Sequence, residues 1–317
     1  MLDELIRNAM AEAEKNRGAV KGDMSMMQFL VQTRGEDVTA RQLRDDLMTL
    51  LVAGHETTAA LLTWTMFELT KEENLDILDE LRKEISDVLG NRRITYADIQ
   101  RLPFLRDCLV ETLRLYPEPP LLIRRCVEGD DCPTGPTCGQ EEGATVRFLP
   151  GQDIFISTWS LQRSKELWGE DADKFNPRRW RTSIPGKGRW AGYNPEKAGL
   201  YPNEMASDFA FMPFGGGLRK CVGDQFALME STVVMASLLQ RYTFQWAEPK
   251  GTAMDMTTGA TVHTKNGLVM RLKPRPDFAP EQAESAAEAR RTVEQQLRRA
   301  YEKKVGGTVA QRLEPEA

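Results

Sequence analysis

Cysteine and histidine are scarce in this sequence. Its 317 residues include 5 cysteines and 2 histidines. Five is an odd number and too few for a disulfide framework in a chain of this length, which favours a reducing compartment. Cys126, Cys132 and Cys138 recur every six residues, but neither histidine is near them in sequence, and a structural zinc site needs four ligands. We therefore expect free surface thiols at these positions.

Long apolar runs and basic stripes are also lacking. The most apolar window, residues 47–69, carries His55 and Glu56 at its middle, and an acid at the centre of a bilayer is costly, so a buried core helix is the better interpretation. With a formal net charge of −5 and no basic stripe, we expect no nucleic-acid partner. Met1 precedes a charged run, so no signal peptide, transit peptide or transmembrane segment is predicted in this chain.

Hydrophobic residues make up 41% of the chain and charged residues 28%, enough for a substantial core in one domain. Thr39 and Gln42 have the spacing of a capping box, and apolar residues continue to Leu69. This pattern predicts a helix of some 30 residues, about 45 Å long. Periodicity predicts further helices over residues 75–89, 95–101, 104–115 and 224–242, and strands over 146–148, 153–157, 244–246 and 268–272; residues 181–207 are typical of an irregular loop.

Cys221 stands in a segment that favours an ionised thiol. Residues 214–223 read F-G-G-G-L-R-K-C-V-G, with Arg219 two residues before the cysteine and the predicted helix after it. A cation and a helix N-terminus both favour the thiolate, the form that binds a metal. The glycines at 215–217 lack a Cβ, so the backbone could approach a flat cofactor and aim its N–H groups at the sulfur. The alternative is a glycine turn before a helix with a buried cysteine.

The motif A-G-H-E-T-T, residues 53–58, lies inside the long predicted helix. Glycine in a helix interior costs about 1 kcal/mol relative to alanine, and an acid followed by two threonines invites loosening of the backbone hydrogen bonds. Small Ala53 and Gly54 would let a ligand lie against the backbone, while Glu56 and Thr57 could pass protons. A kinked core helix with a capped polar patch is the alternative.

Glu111 and Arg114 are three residues apart on a predicted helix and share a face. Such a pair means little alone, but Arg179, in the segment F-N-P-R-R-W, supplies a second guanidinium. Two arginines and one glutamate form a plausible buried network if every donor is satisfied.

Together these motifs resemble the cytochrome P450 superfamily over residues 28–273. The resemblance implies a mainly α fold with small β-sheets (α+β), truncated at the N-terminus, and haem b with Cys221 as its axial ligand. Arg124 would join Arg219 at the haem propionates, and Glu56 and Thr57 would deliver protons. The haem contacts implied are Ala53, Gly54, Arg124, Phe214, Gly215, Arg219 and Gly223.

The resemblance also implies structural and substrate roles. Glu111, Arg114 and Arg179 would lock the loop before the cysteine, although Arg178 stands where the family usually has an acid. Leu121, Leu122, Ile123, Ala260 and Thr261 would line the substrate cavity; plain strand core is an equal alternative for residues 121–123. His263 is expected to be a loop histidine rather than a ligand.

Within the superfamily, the segments Y-P-E-P-P-L-L-I-R-R and T-T-G-A-T-V-H-T resemble the plastid carotenoid hydroxylases. This implies hydroxylation of the ionone rings of carotenes with O2 and two electrons, in xanthophyll biosynthesis. NADPH would supply the electrons through a ferredoxin or flavoprotein reductase docking near Lys220. The implied location is the plastid, with peripheral membrane contact in the full-length protein.

Two other readings stay open. A haem-thiolate isomerase or dehydratase uses the same cysteine loop, but it can dispense with Glu56 and Thr57. A truncated, non-catalytic haem-binding fragment is the other, since the family's early helices and substrate lid have no counterpart here. We expect the 317-residue chain alone to fold poorly and bind haem weakly, and the complete gene product to be active. The expected organisation is a charged helix and linker at 1–27, the catalytic domain at 28–273, and a solvated helical tail at 274–317.

Overall fold

A computed structural model describes residues 39–134, 144–187, 190–197, 209–247, 254–276 and 278, with residues 4, 6–8, 11 and 30. The predicted C-terminal tail helix, residues 280–304, lies outside the described residues. Of the predicted first helix, residues 4, 6–8 and 11 are described, and they are helical.

The longest helix, α1, is Ala40–Leu69. It begins where predicted, because the Thr39 side chain accepts a hydrogen bond from the Gln42 N–H at 3.2 Å and so satisfies a donor that the first turn leaves free. Its C-terminal half is buried, including Leu61 and Trp64, whereas Leu50 and its neighbours are exposed. The helix therefore joins the core to an open surface.

Two further helices pack beside α1. Helix α2 is Leu75–Leu89 and ends at Gly90, whose φ of 53° is a conformation that glycine adopts without strain. Helix α3 is Pro103–Leu115, and its first free N–H groups, those of Phe104 and Leu105, donate to the Glu84 carboxylate at 2.8 and 3.0 Å. Residues 107–115 are all buried, so α3 lies at the centre of the core.

The strands form two-stranded antiparallel sheets. Their bounds are β1 Leu121–Arg125, β2 Asp130–Pro133, β3 Thr145–Phe148, β4 Asp153–Ser157, β5 Ile184–Lys187, β6 Trp190–Tyr193, β7 Tyr242–Trp246, β8 Met256–Thr258, β9 Val262–Thr264 and β10 Met270–Pro274. The pairs are β1 with β4, β2 with β3, β5 with β6, β7 with β10, and β8 with β9. In the first pair, Leu121 lies opposite Ser157 and Arg125 opposite Asp153.

Short helices complete the described chain. Helices α4, Thr158–Leu161, and α5, Lys165–Trp168, follow β4, and 3₁₀ helices occur at Tyr96–Arg101, Pro177–Arg181 and Gly217–Arg219. Helix α6, Asp224–Arg241, packs against α1, α2 and α3. The predicted class, mainly α with small β-sheets, is confirmed.

One local prediction was wrong. Residues 181–207 were expected to be irregular, yet β5 and β6 form a hairpin within them; residues 198–208 lie outside the described part of the chain. Tyr193 anchors this hairpin, because its buried ring packs on Trp180 and its hydroxyl donates to the Trp180 carbonyl at 2.7 Å. Tyr193 contacts a residue outside the hairpin, and strand periodicity does not reveal such a contact.

Candidate functional site

Cys221 lies on a loop that its own backbone holds in place. The Cys221 N–H donates to the Phe214 carbonyl at 2.9 Å, and the turn between them needs positive φ at Gly215 (71°) and Gly217 (64°), where glycine is unstrained. Helix α6 begins three residues after the cysteine, and the Gly223 N–H lies 3.4 Å from Cys221 Sγ. The sulfur therefore has one backbone donor and a nearby helix N-terminus.

That donor differs from the one expected. We predicted N–H groups from the glycines at 215–217, but the Gly215 N–H donates to the Met212 carbonyl at 3.1 Å. The loop instead turns tightly after the cysteine, so that Gly223 reaches back to the sulfur. The glycines shape the loop, and the residue before α6 supplies the donor.

The surface around this thiol is open and partly apolar. Cys221 is a free, exposed cysteine. Leu218 and Val222 beside it are almost fully exposed, at 106% and 89%, and Arg219 is exposed too. Lys220 pairs with Asp224 at 2.9 Å. Two large apolar side chains flanking a free thiol form a surface suited to an apolar ligand.

The A-G-H-E-T-T motif lies on the exposed half of α1. The helix is continuous through it, and the Thr57 hydroxyl donates to the Ala53 carbonyl one turn back at 2.7 Å. A Cβ added to Gly54 would meet no atom within 4 Å, so the space beside this glycine is open. Glu56 is exposed and accepts a hydrogen bond from the Thr261 hydroxyl at 2.7 Å.

Glu111, Arg114 and Arg179 meet in a buried network. Arg114 donates to both Glu111 oxygens at 2.8 and 2.9 Å, and Arg179 Nε donates to the same carboxylate at 2.9 Å. The other guanidinium donors of Arg114 bind the carbonyls of Gln162, Ala172 and Lys174. Because donors and acceptors are matched, burial of these charges is compensated.

Gln162 links this network to the chain that enters the cysteine loop. Its Nε2 donates to the Leu113 and Arg114 carbonyls at 3.0 and 3.1 Å, and its Oε1 accepts from the Met212 N–H at 2.8 Å. Sequence reasoning missed this residue, since a lone glutamine after a short helix carries no motif.

Strand β1 contains the residues that were predicted to line the substrate cavity. Leu121 and Ile123 are exposed and Leu122 is half-buried, while Arg124 donates to the Ile123 carbonyl at 2.9 Å. The alternating exposure leaves one face of β1 uncovered, rather than packed as plain strand core.

The β8–β9 hairpin is tied to α1 and to the segment after α3. Val262 is buried, its N–H donates to Glu118 Oε2 at 2.6 Å, and its carbonyl accepts from Trp64 Nε1 at 2.7 Å. Ala260 at the tip is exposed, whereas Thr261 is buried. Glu118 and Trp64 were not predicted as site residues; the only sequence signal was a carboxylate in the otherwise apolar Y-P-E-P-P segment.

Burial raises the pKa of Glu118 from its usual 4.5 to about 8, helped by the nearby Glu56 carboxylate and opposed by the Val262 N–H. Glu118 Oε1 is buried and has no hydrogen-bond partner in the described part of the chain. A pKa of about 8 favours the protonated form of this acid at neutral pH.

The prediction of surface thiols at the three spaced cysteines was partly wrong. Cys126 is buried, with its Sγ 2.8 Å from the Glu128 carbonyl oxygen, because the turn after β1 folds over it. Cys132 is exposed and free, and Cys138 lies outside the described residues. No group of three metal-ligating side chains occurs in the part of the chain described, and no helix there is long and apolar enough to cross a membrane.

The chemical types of these residues fit a haem. An exposed thiol with a backbone N–H directed at it suits an axial ligand, and the open space at Gly54 is room that a larger side chain would fill. Exposed Leu218, Val222 and Ile123 offer apolar contacts, and Arg219 and Arg124 offer cations for carboxylates.

Comparison with known proteins agrees with this reading. The family model described as Cytochrome P450 matches residues 1–271. The chain is 47% identical over 292 residues to Cytochrome P450 97B2, chloroplastic, of Glycine max, covering 86% of this chain and 48% of that protein. Two proteins of Arabidopsis thaliana are also similar over 253 residues each: Protein LUTEIN DEFICIENT 5, chloroplastic (43% identical; 80% of this chain, 37% of that protein) and Carotene epsilon-monooxygenase, chloroplastic (42%; 80% and 41%). The chain thus spans less than half the length of these curated relatives.

Proposed function

This chain belongs to the cytochrome P450 family, and from that premise we propose that it carries the haem-thiolate site of a monooxygenase that hydroxylates carotene rings. The observation that carries the proposal is the free, exposed Cys221 thiol with the Gly223 N–H 3.4 Å away. The relatives with carotene or lutein in their names support a carotenoid substrate.

Bound haem would supply O2 activation and one-electron chemistry. In this chain Cys221 would bind the haem iron, and the Gly223 N–H would stabilise the thiolate. Phe214 and Gly215 would shape the cysteine loop, and Arg219 and Arg124 would neutralise the propionates. Ala53 and Gly54 would let the macrocycle lie close to α1, because no side chain fills that space.

Glu56 and Thr57 would handle protons on the same surface of α1. Glu56 is exposed and already bonded to a hydroxyl, so it can exchange protons with its surroundings. The Thr57 hydroxyl is held against the Ala53 carbonyl in this conformation, and it would have to rotate to serve a ligand. The pair favours a monooxygenase over an isomerase or dehydratase.

The substrate would lie against exposed apolar side chains. Leu121, Ile123 and Ala260 are exposed, and Leu122 is half-buried. Such a surface favours a long apolar molecule over a polar one.

Electrons from NADPH would arrive through a ferredoxin or flavoprotein reductase docking near Lys220. This cation pairs with Asp224. Lys220→Gln therefore tests the docking role of Lys220 without placing a second acid beside Asp224. We expect a slower ferredoxin-supported rate with weaker salt dependence, while Lys165→Gln, on α5, leaves both as they are. An unchanged rate and salt dependence in Lys220→Gln would remove this docking site.

The chloroplastic relatives support a plastid location, with peripheral membrane contact as a further proposal. The division into residues 1–27, 28–273 and 274–317 also stays a proposal.

Expression in carotene-accumulating cells tests the substrate. We expect hydroxylated carotenoids from the full-length protein and none from its Cys221→Ser variant. A different oxidised product would overturn the carotenoid substrate and leave the family assignment intact.

A further inference from the structure

Val262, the first residue of β9, is held by hydrogen bonds at both its N–H and its carbonyl. Val262 donates to Glu118 Oε2 and accepts from Trp64 Nε1, at 2.6 and 2.7 Å, and its side chain is 1% exposed. A residue held this way cannot shift without breaking buried hydrogen bonds. Its two neighbours, Thr261 and His263, therefore have fixed positions.

Those neighbours make a continuous line of polar atoms to α1. The Thr261 hydroxyl lies 2.7 Å from Glu56 Oε1 and 3.3 Å from His263 Nδ1. A threonine hydroxyl has one proton to donate. While it donates that proton to the Glu56 carboxylate, it must accept from His263, so His263 carries its proton on Nδ1.

The middle of this line and its outer end differ in their surroundings. Thr261 is 3% exposed, whereas the His263 ring is exposed and can exchange protons with solvent. Another titratable group bonded to the hairpin is Glu118, whose Oε1 has no hydrogen-bond partner among the described residues. Glu118 is bonded to the backbone of Val262 rather than to His263 or Thr261, so it positions the line and is not part of it.

We propose that His263 and Thr261 form a side-chain proton route to Glu56, with Glu118 and Trp64 as positioning residues. The inference rests on the proposed function, in which Glu56 supplies protons on the ligand side of α1. It assigns a proton-transfer role to two residues of the hairpin that the family resemblance gave to substrate contact or to no function.

The proton count balances. His263 takes a proton at Nε2 from a hydronium ion of the solvent, which becomes water, and gives its Nδ1 proton to Thr261 Oγ1. Thr261 gives its original hydroxyl proton to Glu56 Oε1. His263 is left as the Nε2–H tautomer, and exchange with solvent at the exposed ring restores the Nδ1–H form.

The first test needs no turnover. The chain has only 2 histidines, so ¹⁵N-histidine labelling gives two side chains, and exposed His55 serves as the internal reference. In the diamagnetic ferrous carbon-monoxide protein at a pH where both rings are neutral, we expect the Nδ1–H tautomer for His263. Thr261→Val should convert it to Nε2–H, and Thr261→Ser should retain Nδ1–H. An Nε2–H tautomer in the wild type, or one unaffected by Thr261→Val, overturns the inference.

The second test measures product formed per NADPH consumed, with carotene, ferredoxin and its reductase. We expect Thr261→Val and His263→Gln to lower this ratio about tenfold, less than the roughly hundredfold a positioned proton donor contributes, because water replaces part of the route. Thr261→Ser should recover most of the coupling, and Thr258→Val on exposed β8 should match the wild type. Wild-type coupling in Thr261→Val would overturn the route. A wild type that forms no product would count against the proposed function, and the tautomer measurement would then decide the inference alone.

Discussion

Glu118→Gln tests whether a buried acid beneath the β8–β9 hairpin stays protonated in the folded protein. The substitution keeps the shape of the side chain, and the amide oxygen can still accept the Val262 N–H. The substitution removes the titratable carboxyl group. Any difference in pH dependence between the two proteins then reports the Glu118 carboxyl.

The size of the effect follows from the pKa. Burial raises it from 4.5 to about 8, so between these values the folded protein binds one proton more than the unfolded chain does. Stability must therefore fall as pH rises, by about 1.4 kcal/mol per pH unit. Between about pH 5.5 and 7.5, the wild type should lose about 3 kcal/mol relative to Glu118→Gln.

Urea unfolding at several pH values measures this difference directly. The control is Glu230→Gln, which removes an exposed carboxyl from α6 and should retain the wild-type pH dependence. If the wild type and Glu118→Gln lose stability in parallel over this range, Glu118 is ionised in the folded protein and the reasoning fails.

Three further predictions concern stability and ligand space. Glu111→Gln should lower the free energy of unfolding by about 3–5 kcal/mol, because it leaves the buried guanidinium of Arg114 without its carboxylate; denaturant unfolding measures it, and Lys165→Ala on the exposed face of α5 should change little. Trp64→Phe should cost about 1–3 kcal/mol by leaving the buried Val262 carbonyl without a donor, and an unchanged denaturation midpoint would contradict that. Gly54→Ala should stabilise the haem-free protein by about 1 kcal/mol, since the added Cβ meets no atom and alanine favours a helix, yet it should weaken haem binding in a haem titration; equal affinity would show that the haem does not approach Gly54.

Local signals in the sequence located most of the helices. Thr39 marks the start of α1 and Gly90 the end of α2, because each residue type satisfies or terminates a turn by itself. The β5–β6 hairpin escaped prediction because its strands lack apolar alternation and depend on Tyr193 packing against Trp180.

The site residues also divide into those with a local sequence signal and those that depend on a distant contact. Cys221 and the Glu111–Arg114 pair were found from spacing within one segment. Gln162, Trp64 and Glu118 were missed because each acts on a residue distant in sequence; the Trp64 donor and the Val262 acceptor are 198 positions apart. Periodicity describes which face of a helix is buried, but it does not specify the partner across a tertiary contact.

The most direct test of the central claim is the carbon-monoxide spectrum of the reduced, haem-loaded chain. Wild-type protein and Cys132→Ser, which removes the other exposed thiol of the described chain, should both show the absorption band after which the family is named, however small its amplitude. Cys221→Ser should lose it. A Cys221→Ser protein that keeps the band would show that a different group binds the iron.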